Sequence, residues 1–297
     1  MPNNNAEPAE CGFGARLRAA VAARGPLCGG IDPHPGSLRE WGLGDDVAGL
    51  ERFALGAVEA LAPELALVKP QSAFFERHGA RGIEILERVL LAARDAGALV
   101  VLDVKRGDIG TTMAGYAAAY LSDGAPLAAD AITVSPYLGI GALDPAFELA
   151  SRTGRGVFVL ALTSNPEGGD VQAAITRTGV TVAQSVVDAI AARNAGRRPG
   201  GDIGVVVGAT APLGALRLDA LNGPILAPGI GAQGAQLANL PEIFGVAIRH
   251  VVAATSRELL RHGPHLASLR HAARRIADQA GTLLGPLAGQ RGGGTPG

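Results

Sequence analysis

The segment Ala98-Leu99-Val100-Val101-Leu102-Asp103-Val104-Lys105-Arg106-Gly107-Asp108 sets an unbroken apolar run against a cluster of charges. A near-continuous apolar run, rather than an alternating one, is expected of a parallel strand covered on both faces. The abrupt change to charge marks the strand's end. Seven similar runs occur, at 27–32, 65–69, 130–135, 156–162, 202–208, 223–228 and 246–253. Their starts lie on average about 31 residues apart, the size of a βα unit. Apolar residues spaced three and four apart predict helices at 47–62, 81–96, 111–121, 141–152, 176–194 and 211–221. Flanking helices are expected at about 11–24 and 266–285. Eight such units predict an α/β fold, a single closed (β/α)8 TIM barrel with extra flanking helices. A doubly wound sheet fits less well, because no glycine-rich dinucleotide fingerprint follows the first run.

A chain of 297 residues can bury a large core without help from a disulfide or a metal. The barrel domain is expected over 11–286, with disordered tails at 1–10 and 287–297. Two cysteines, Cys11 and Cys28, make no disulfide framework, and no Cys/His cluster has zinc spacing. The expectation is a reduced, cytoplasmic protein with no metal site. A formal net charge of −1 argues against a nucleic-acid partner. No apolar run reaches the roughly 18 residues of a membrane span, and the polar N-terminus shows no secretion signal.

In such barrels the chemistry gathers at the C-terminal ends of the strands. The first run ends in Asp32, the second in Lys69, and the third in Asp103 with Lys105 two later. Residues two apart on a strand share a face, so Asp103 and Lys105 are expected to point the same way. Asp108 and Thr112, four apart, are expected to share a helix face. Of the 26 basic residues only two are lysines, Lys69 and Lys105, and both stand at strand ends. A G+C-rich coding bias accounts for the abundance of arginine. It does not account for where the lysines fall. A structural ion-pair network would use the same residues, but lysine can deliver a proton and arginine cannot.

The segment Pro228-Gly229-Ile230-Gly231-Ala232-Gln233-Gly234 follows the seventh run, and Arg257 follows the eighth. Loops at these positions commonly bind phosphate, and Arg257 supplies a fixed cation. Trp41 and Tyr137 are expected to be packing residues. The six histidines are scattered, without a metal-spaced pair on a strand end.

Asp-x-Lys-x-x-Asp-Ile-x-x-Thr at 103–112 resembles the active-site signature of the orotidine 5′-phosphate decarboxylase family. The resemblance extends to Gly30–Pro35, Val68–Glu76, Thr133–Gly139, Leu162–Pro166, Gly204–Thr210, Pro228–Gly234 and Ser256-Arg257. It covers roughly 30–260 in order and is closest to the longer subfamily. The Asp-x-Lys-x-x-Asp element also occurs in sister sugar-phosphate enzymes, whereas Val68–Glu76 together with 103–112 is more specific. Met113 and Thr255 depart from the pattern without removing a side chain the chemistry needs.

The resemblance implies cofactor-independent decarboxylation of orotidine 5′-phosphate to uridine 5′-phosphate, in de novo pyrimidine synthesis. It casts Lys105 as proton donor and Asp103 as the group near the departing carboxylate. Lys69 and Asp108 complete the charge array and hold the ribose. Asp32 binds the sugar, Ser164 the pyrimidine, and Gln233 with Arg257 the phosphate. It further implies a homodimer in which Asp108 and Thr112 reach the neighbouring site, and 164–172 is a candidate mobile loop. Two rivals remain: a metal-assisted sugar-phosphate lyase or epimerase, and a non-catalytic nucleotide sensor. The stretch after Lys69 disfavours the first, and the presence of a proton donor disfavours the second.

Overall fold

A computed structural model describes residues 12–214, 216–231 and 234–287. Eight parallel strands close into one barrel in sequence order. They are β1 (Leu27–Ile31), β2 (Leu67–Pro70), β3 (Leu99–Arg106) and β4 (Ala131–Val134), followed by β5 (Gly156–Leu162), β6 (Ile203–Val207), β7 (Ile225–Pro228) and β8 (Val251–Thr255). Pairing of Leu27 with Ala253 and of Cys28 with Ala254 joins β1 to β8. Strands β1, β4 and β8 are buried along their whole length, as the continuous apolar runs require. Among the described residues no helix is long and apolar enough to cross a membrane.

Most expected helices form, including Val47–Leu61, Gly79–Asp95, Gly110–Leu121, Phe13–Arg24 and Leu266–Leu284. Three expectations need correction. First, no helix occupies the described part of 211–221. Pro212 lacks an amide proton and Gly214 sits at φ 51°, so the chain makes separate short turns instead. Second, the helix expected at 176–194 begins only at Val182, where Thr181 caps it by accepting from Gln184 N at 3.1 Å. The residues before it fold back, with Thr176 N donating to Val180 O at 2.8 Å. Third, β8 begins at Val251 rather than 246. Gly245–His250 is a 3₁₀ turn that leaves Val246 exposed.

The barrel interior has its own core, in which Cys28, Leu67, Val101, Ala131, Phe158, Val206, Leu226 and Val252 meet. The helix Phe13–Arg24 plugs the N-terminal opening with Phe13, Leu17 and Val21. Phe13 meets Phe158 edge to face, with centroids 5.8 Å apart. A Cβ at residue 156 would collide with the Phe13 ring, which is why glycine opens β5. Gly14 N donates to Asp202 Oδ1 at 2.8 Å, placing a carboxylate at the helix N-terminus. Arg16 pairs with Asp130, whose other oxygen accepts from Val100 N at 2.9 Å. Leu287, expected in the C-terminal tail, packs against this core. The rest of the expected tails lies outside the described residues.

Candidate active site

Strand β2 ends Val68-Lys69-Pro70, and Lys69 pairs in register with Gly30 of β1. A Cβ at Gly30 would lie 2.6 Å from Ser256 Cβ, so the glycine lets β1 and the end of β8 approach closely beside Lys69. Lys69 Nζ donates to Asp103 Oδ2 at 2.8 Å, and Lys105 Nζ donates to Asp103 Oδ1 at 2.6 Å. Both lysines therefore share one carboxylate. Lys69 and Asp103 are nearly buried, while the side chain of Lys105 is 45% exposed and reaches the open mouth.

Burial opposes the charge on Asp103, but the ammonium groups of Lys69 and Lys105 outweigh it. They hold its carboxyl well below the ordinary carboxylate range. Burial likewise opposes the charge on Lys69, and the carboxylates of Asp103 and Asp32 outweigh it, so its pKa stands above the ordinary lysine value. Cys28, on the barrel-facing side of β1, has its thiol pushed up to about 12, chiefly by burial. It stays protonated and behaves as a small apolar side chain.

Asp103 and Lys105 meet on one face of the strand, as their spacing predicts, opposite Leu102 and Val104, which pack in the outer core. The β3–β4 register jumps from Leu102↔Ile132 to Arg106↔Val134. Within this bulge Lys105 adopts φ 45°, a left-handed conformation that costs a non-glycine residue of order 1–3 kcal/mol. In this conformation the Lys105 ammonium reaches Asp103.

Two residues that sequence reasoning missed complete the carboxylate's shell. Thr133 Oγ1 donates to Asp103 Oδ1 at 2.7 Å. The Gln71 amide nitrogen, in the orientation that satisfies its neighbours, donates to Asp103 Oδ2 at 2.9 Å and to Asp103 O at 2.8 Å. Gln71 lies in a stretch already singled out, next to Lys69. Thr133 sits inside an apolar run, and its hydroxyl gave no separate signal.

A cavity of about 130 Å³ opens beside this cluster, lined by Asp32, Lys69, Gly229, Ser256 and Arg257 among others. Asp32 Oδ1 and Ser256 Oγ are buried there without hydrogen-bond partners. Unpaired buried polar atoms facing a cavity are suited to a polar ligand. Gly229, Gly231 and Gly234 all take positive φ, as the glycine spacing suggested. The amides of Gly231 and Gly234, however, donate to Ala235 O at 2.8 Å and Gly231 O at 2.9 Å within the turn. They are not free to bind an anion. Gln233 lies outside the described residues.

Three other candidates stand apart from the lysine cluster. Asp108 Oδ1 accepts from Ile109 N at 2.8 Å, and the helix starts only at Gly110. Asp32, not Asp108, is the second carboxylate acting on Lys69. Thr112 is exposed on the first turn of Gly110–Leu121. Ser164 is exposed at the end of β5 beside Gly208. The loop after it is tied at its root, where Thr163 N donates to Gln172 Oε1 at 2.9 Å. Gln172 Nε2 donates back to Thr163 Oγ1 at 2.7 Å.

Trp41 packs on Phe53 and donates to Leu260 O at 2.8 Å, as a core residue should. Tyr137 does not pack as expected: it is 80% exposed, and its neighbour Leu138 and Ile109 are exposed as well. Among the described residues no group of three His, Cys, Asp or Glu side chains is placed to hold a metal ion.

The model of the orotidine 5′-phosphate decarboxylase / HUMPS family matches residues 25–271. The chain is 60% identical over 274 residues to an orotidine 5′-phosphate decarboxylase of Salinispora arenicola, covering 92% of this chain and 99% of that one. It is 59% identical to the corresponding Streptomyces coelicolor protein, covering 92% and 98%. A crystal structure from Streptomyces avermitilis, assigned to the same enzyme, superposes with TM-score 0.90 at 58% identity, covering 92% of this chain and 96% of that one. OMP decarboxylase of Leishmania donovani is more distant, with TM-score 0.74 at 30% identity, covering 92% and 99%. With the barrel, the shared carboxylate and these likenesses in place, the chain belongs to the orotidine 5′-phosphate decarboxylase / HUMPS family.

Proposed function

We infer that the protein is an enzyme of pyrimidine biosynthesis that decarboxylates orotidine 5′-phosphate to uridine 5′-phosphate. The observation that carries this reading is the Lys69–Asp103–Lys105 chain at the barrel mouth of a family member. The carbon–carbon bond to the carboxylate breaks, carbon dioxide leaves, and the electron pair stays on the ring carbon. The Lys105 ammonium stabilises that pair and gives it a proton, forming the new C–H bond; solvent then reprotonates the amine. The partial exposure of Lys105 supports this role, and the near burial of Lys69 supports a role in holding Asp103. Asp103 lies near the departing carboxylate and fixes both ammonium groups. The reading needs no cofactor or metal.

The cavity beside Lys69 takes the ribose and phosphate. Asp32 accepts from sugar hydroxyls, which supplies its unpaired oxygen with a donor. Arg257 binds the phosphate, with Gln233 as its expected companion. Ser164 reaches the pyrimidine. Binding energy from the phosphate end is available to position the ring and exclude water.

The enzyme acts as a homodimer, with Asp108 and Thr112 serving the neighbour's site. The exposure of Ile109, next to Asp108 in the chain, and of Tyr137 and Leu138 supports this, since exposed large apolar residues can mark contact surfaces. A phosphorylated substrate and a buried free thiol at Cys28 support a cytoplasmic setting. The test is to add orotidine 5′-phosphate in the presence of a chelator and follow the ultraviolet change. Rapid loss of substrate absorbance is expected. Activity that appears only when a divalent metal is restored would overturn the reading in favour of a metal-assisted enzyme.

A further inference from the structure

Three residues of β3, Asp103, Val104 and Lys105, lie between the register pairs Leu102↔Ile132 and Arg106↔Val134. On β4 only Thr133 lies between the same pairs. The bulge therefore denies Lys105 N an ordinary ladder partner, and Thr133 Oγ1 accepts from it at 3.0 Å. The same hydroxyl donates its single proton to Asp103 Oδ1 at 2.7 Å. Asp103 Oδ1 in turn receives Lys105 Nζ at 2.6 Å. One buried hydroxyl thus links the strained backbone of Lys105 to the carboxylate that holds its ammonium.

We propose that Thr133 is a positioning residue for the decarboxylation. It holds Lys105 in its left-handed conformation and aims its ammonium across Asp103 toward the substrate. A valine would fill the same space and suit the strand equally well, but would leave the Lys105 amide unpaired and remove a donor from Asp103. Serine would keep both bonds. The hydroxyl, not the bulk, is what the position requires.

The proposal rests on the decarboxylase reading, and the wild-type assay separates the two. If the wild-type protein does not turn over orotidine 5′-phosphate, that reading fails. If it does, Thr133→Val, Thr133→Ala and Thr133→Ser are compared with it for kcat, KM and thermal midpoint. Thr133→Val is expected to lower kcat about ten- to hundredfold, with KM changed less than about threefold, because the lysine is misaimed while remote binding is kept. Thr133→Ser is expected to regain most of kcat, and Thr133→Ala to match valine. Should valine prevent folding, the serine–alanine pair decides. Wild-type kcat in folded Thr133→Val or Thr133→Ala overturns the proposal. So does a folded Thr133→Ser that is as slow as alanine, or a loss carried by KM alone.

Discussion

At the N-terminal end of the barrel, Phe13, Leu17 and Val21 fill the opening, with the Arg16–Asp130 pair beside them. At the C-terminal end, Lys69 and Asp103 are nearly buried, Asp32 and Ser256 have unpaired atoms, and a cavity stays open. Burying ions costs several kcal/mol each before their attraction is counted, and unpaired polar atoms cost more. At the active end the attraction among Lys69, Asp103 and Lys105 offsets the cost of burying the ions, while the unpaired atoms of Asp32 and Ser256 remain a cost. The plugged end carries ordinary apolar burial, about 1.5–3 kcal/mol for each large side chain removed from water. Closing one mouth with a helix leaves the other free to hold strained and charged groups.

The sharpest way to break this division is at Lys105. Lys105→Ala should abolish turnover, a loss beyond about a thousandfold, with the thermal midpoint little changed. Near-normal activity would remove Lys105 from the chemistry. The opposite experiment is Phe13→Ala, which should cost about 3–5 kcal/mol in urea unfolding while kcat per folded enzyme stays at the wild-type value. A kcat that falls with stability would show that the two ends are coupled. Arg257→Ala should lower kcat/KM about ten- to hundredfold, mainly through KM, as expected for one charged hydrogen bond to phosphate. An unchanged KM would place the phosphate elsewhere.

Mixing Lys105→Ala with Asp108→Ala subunits should restore about a quarter of wild-type activity, because half the dimers are mixed and each has one whole site. Hybrids that form and stay inactive would refute the shared site. The smallest expected effect is one of pH. Asp103, depressed in the fold, contributes stability above its unfolded pKa of about 3.9 and loses it only as pH falls through its lower folded value. Lys69, raised in the fold, contributes below its unfolded pKa of about 10.4 and loses it only as pH rises through its higher folded value. The stability difference between wild type and Lys69→Met/Asp103→Asn should thus be flat from about pH 5 to pH 9. A slope in that window would contradict both shifts.

The strand ends were legible because apolar runs stop abruptly where the barrel opens. Lys69, Asp103 and Lys105 could be read from position and residue type alone. The bulge at Lys105 could not, because a register jump depends on how β3 meets β4, and neither strand records it locally. For the same reason Thr133 looked like one more member of an apolar run. The apolar pattern at 211–221 suggested a helix, although Pro212 and Gly214 were visible breakers. Asp108 was legible as part of the signature at 103–112, but which subunit's site it serves comes from the resemblance and not from its position.

The plug also bears on the order in which the barrel is assembled. Phe13, Gly14 and Arg16 belong to the first described helix, yet their partners are Phe158, Asp202 and Asp130. The Gly14–Asp202 bond alone closes a loop of 188 residues. During synthesis the helix has no complete seat until β4 and β5 and the residues leading into β6 have emerged. Contacts this distant in sequence form late, after nearer pairings have lowered the entropy of closing them. This helix, made before every strand of the barrel, is then among the last elements to dock, and its apolar face waits uncovered while the later strands are made.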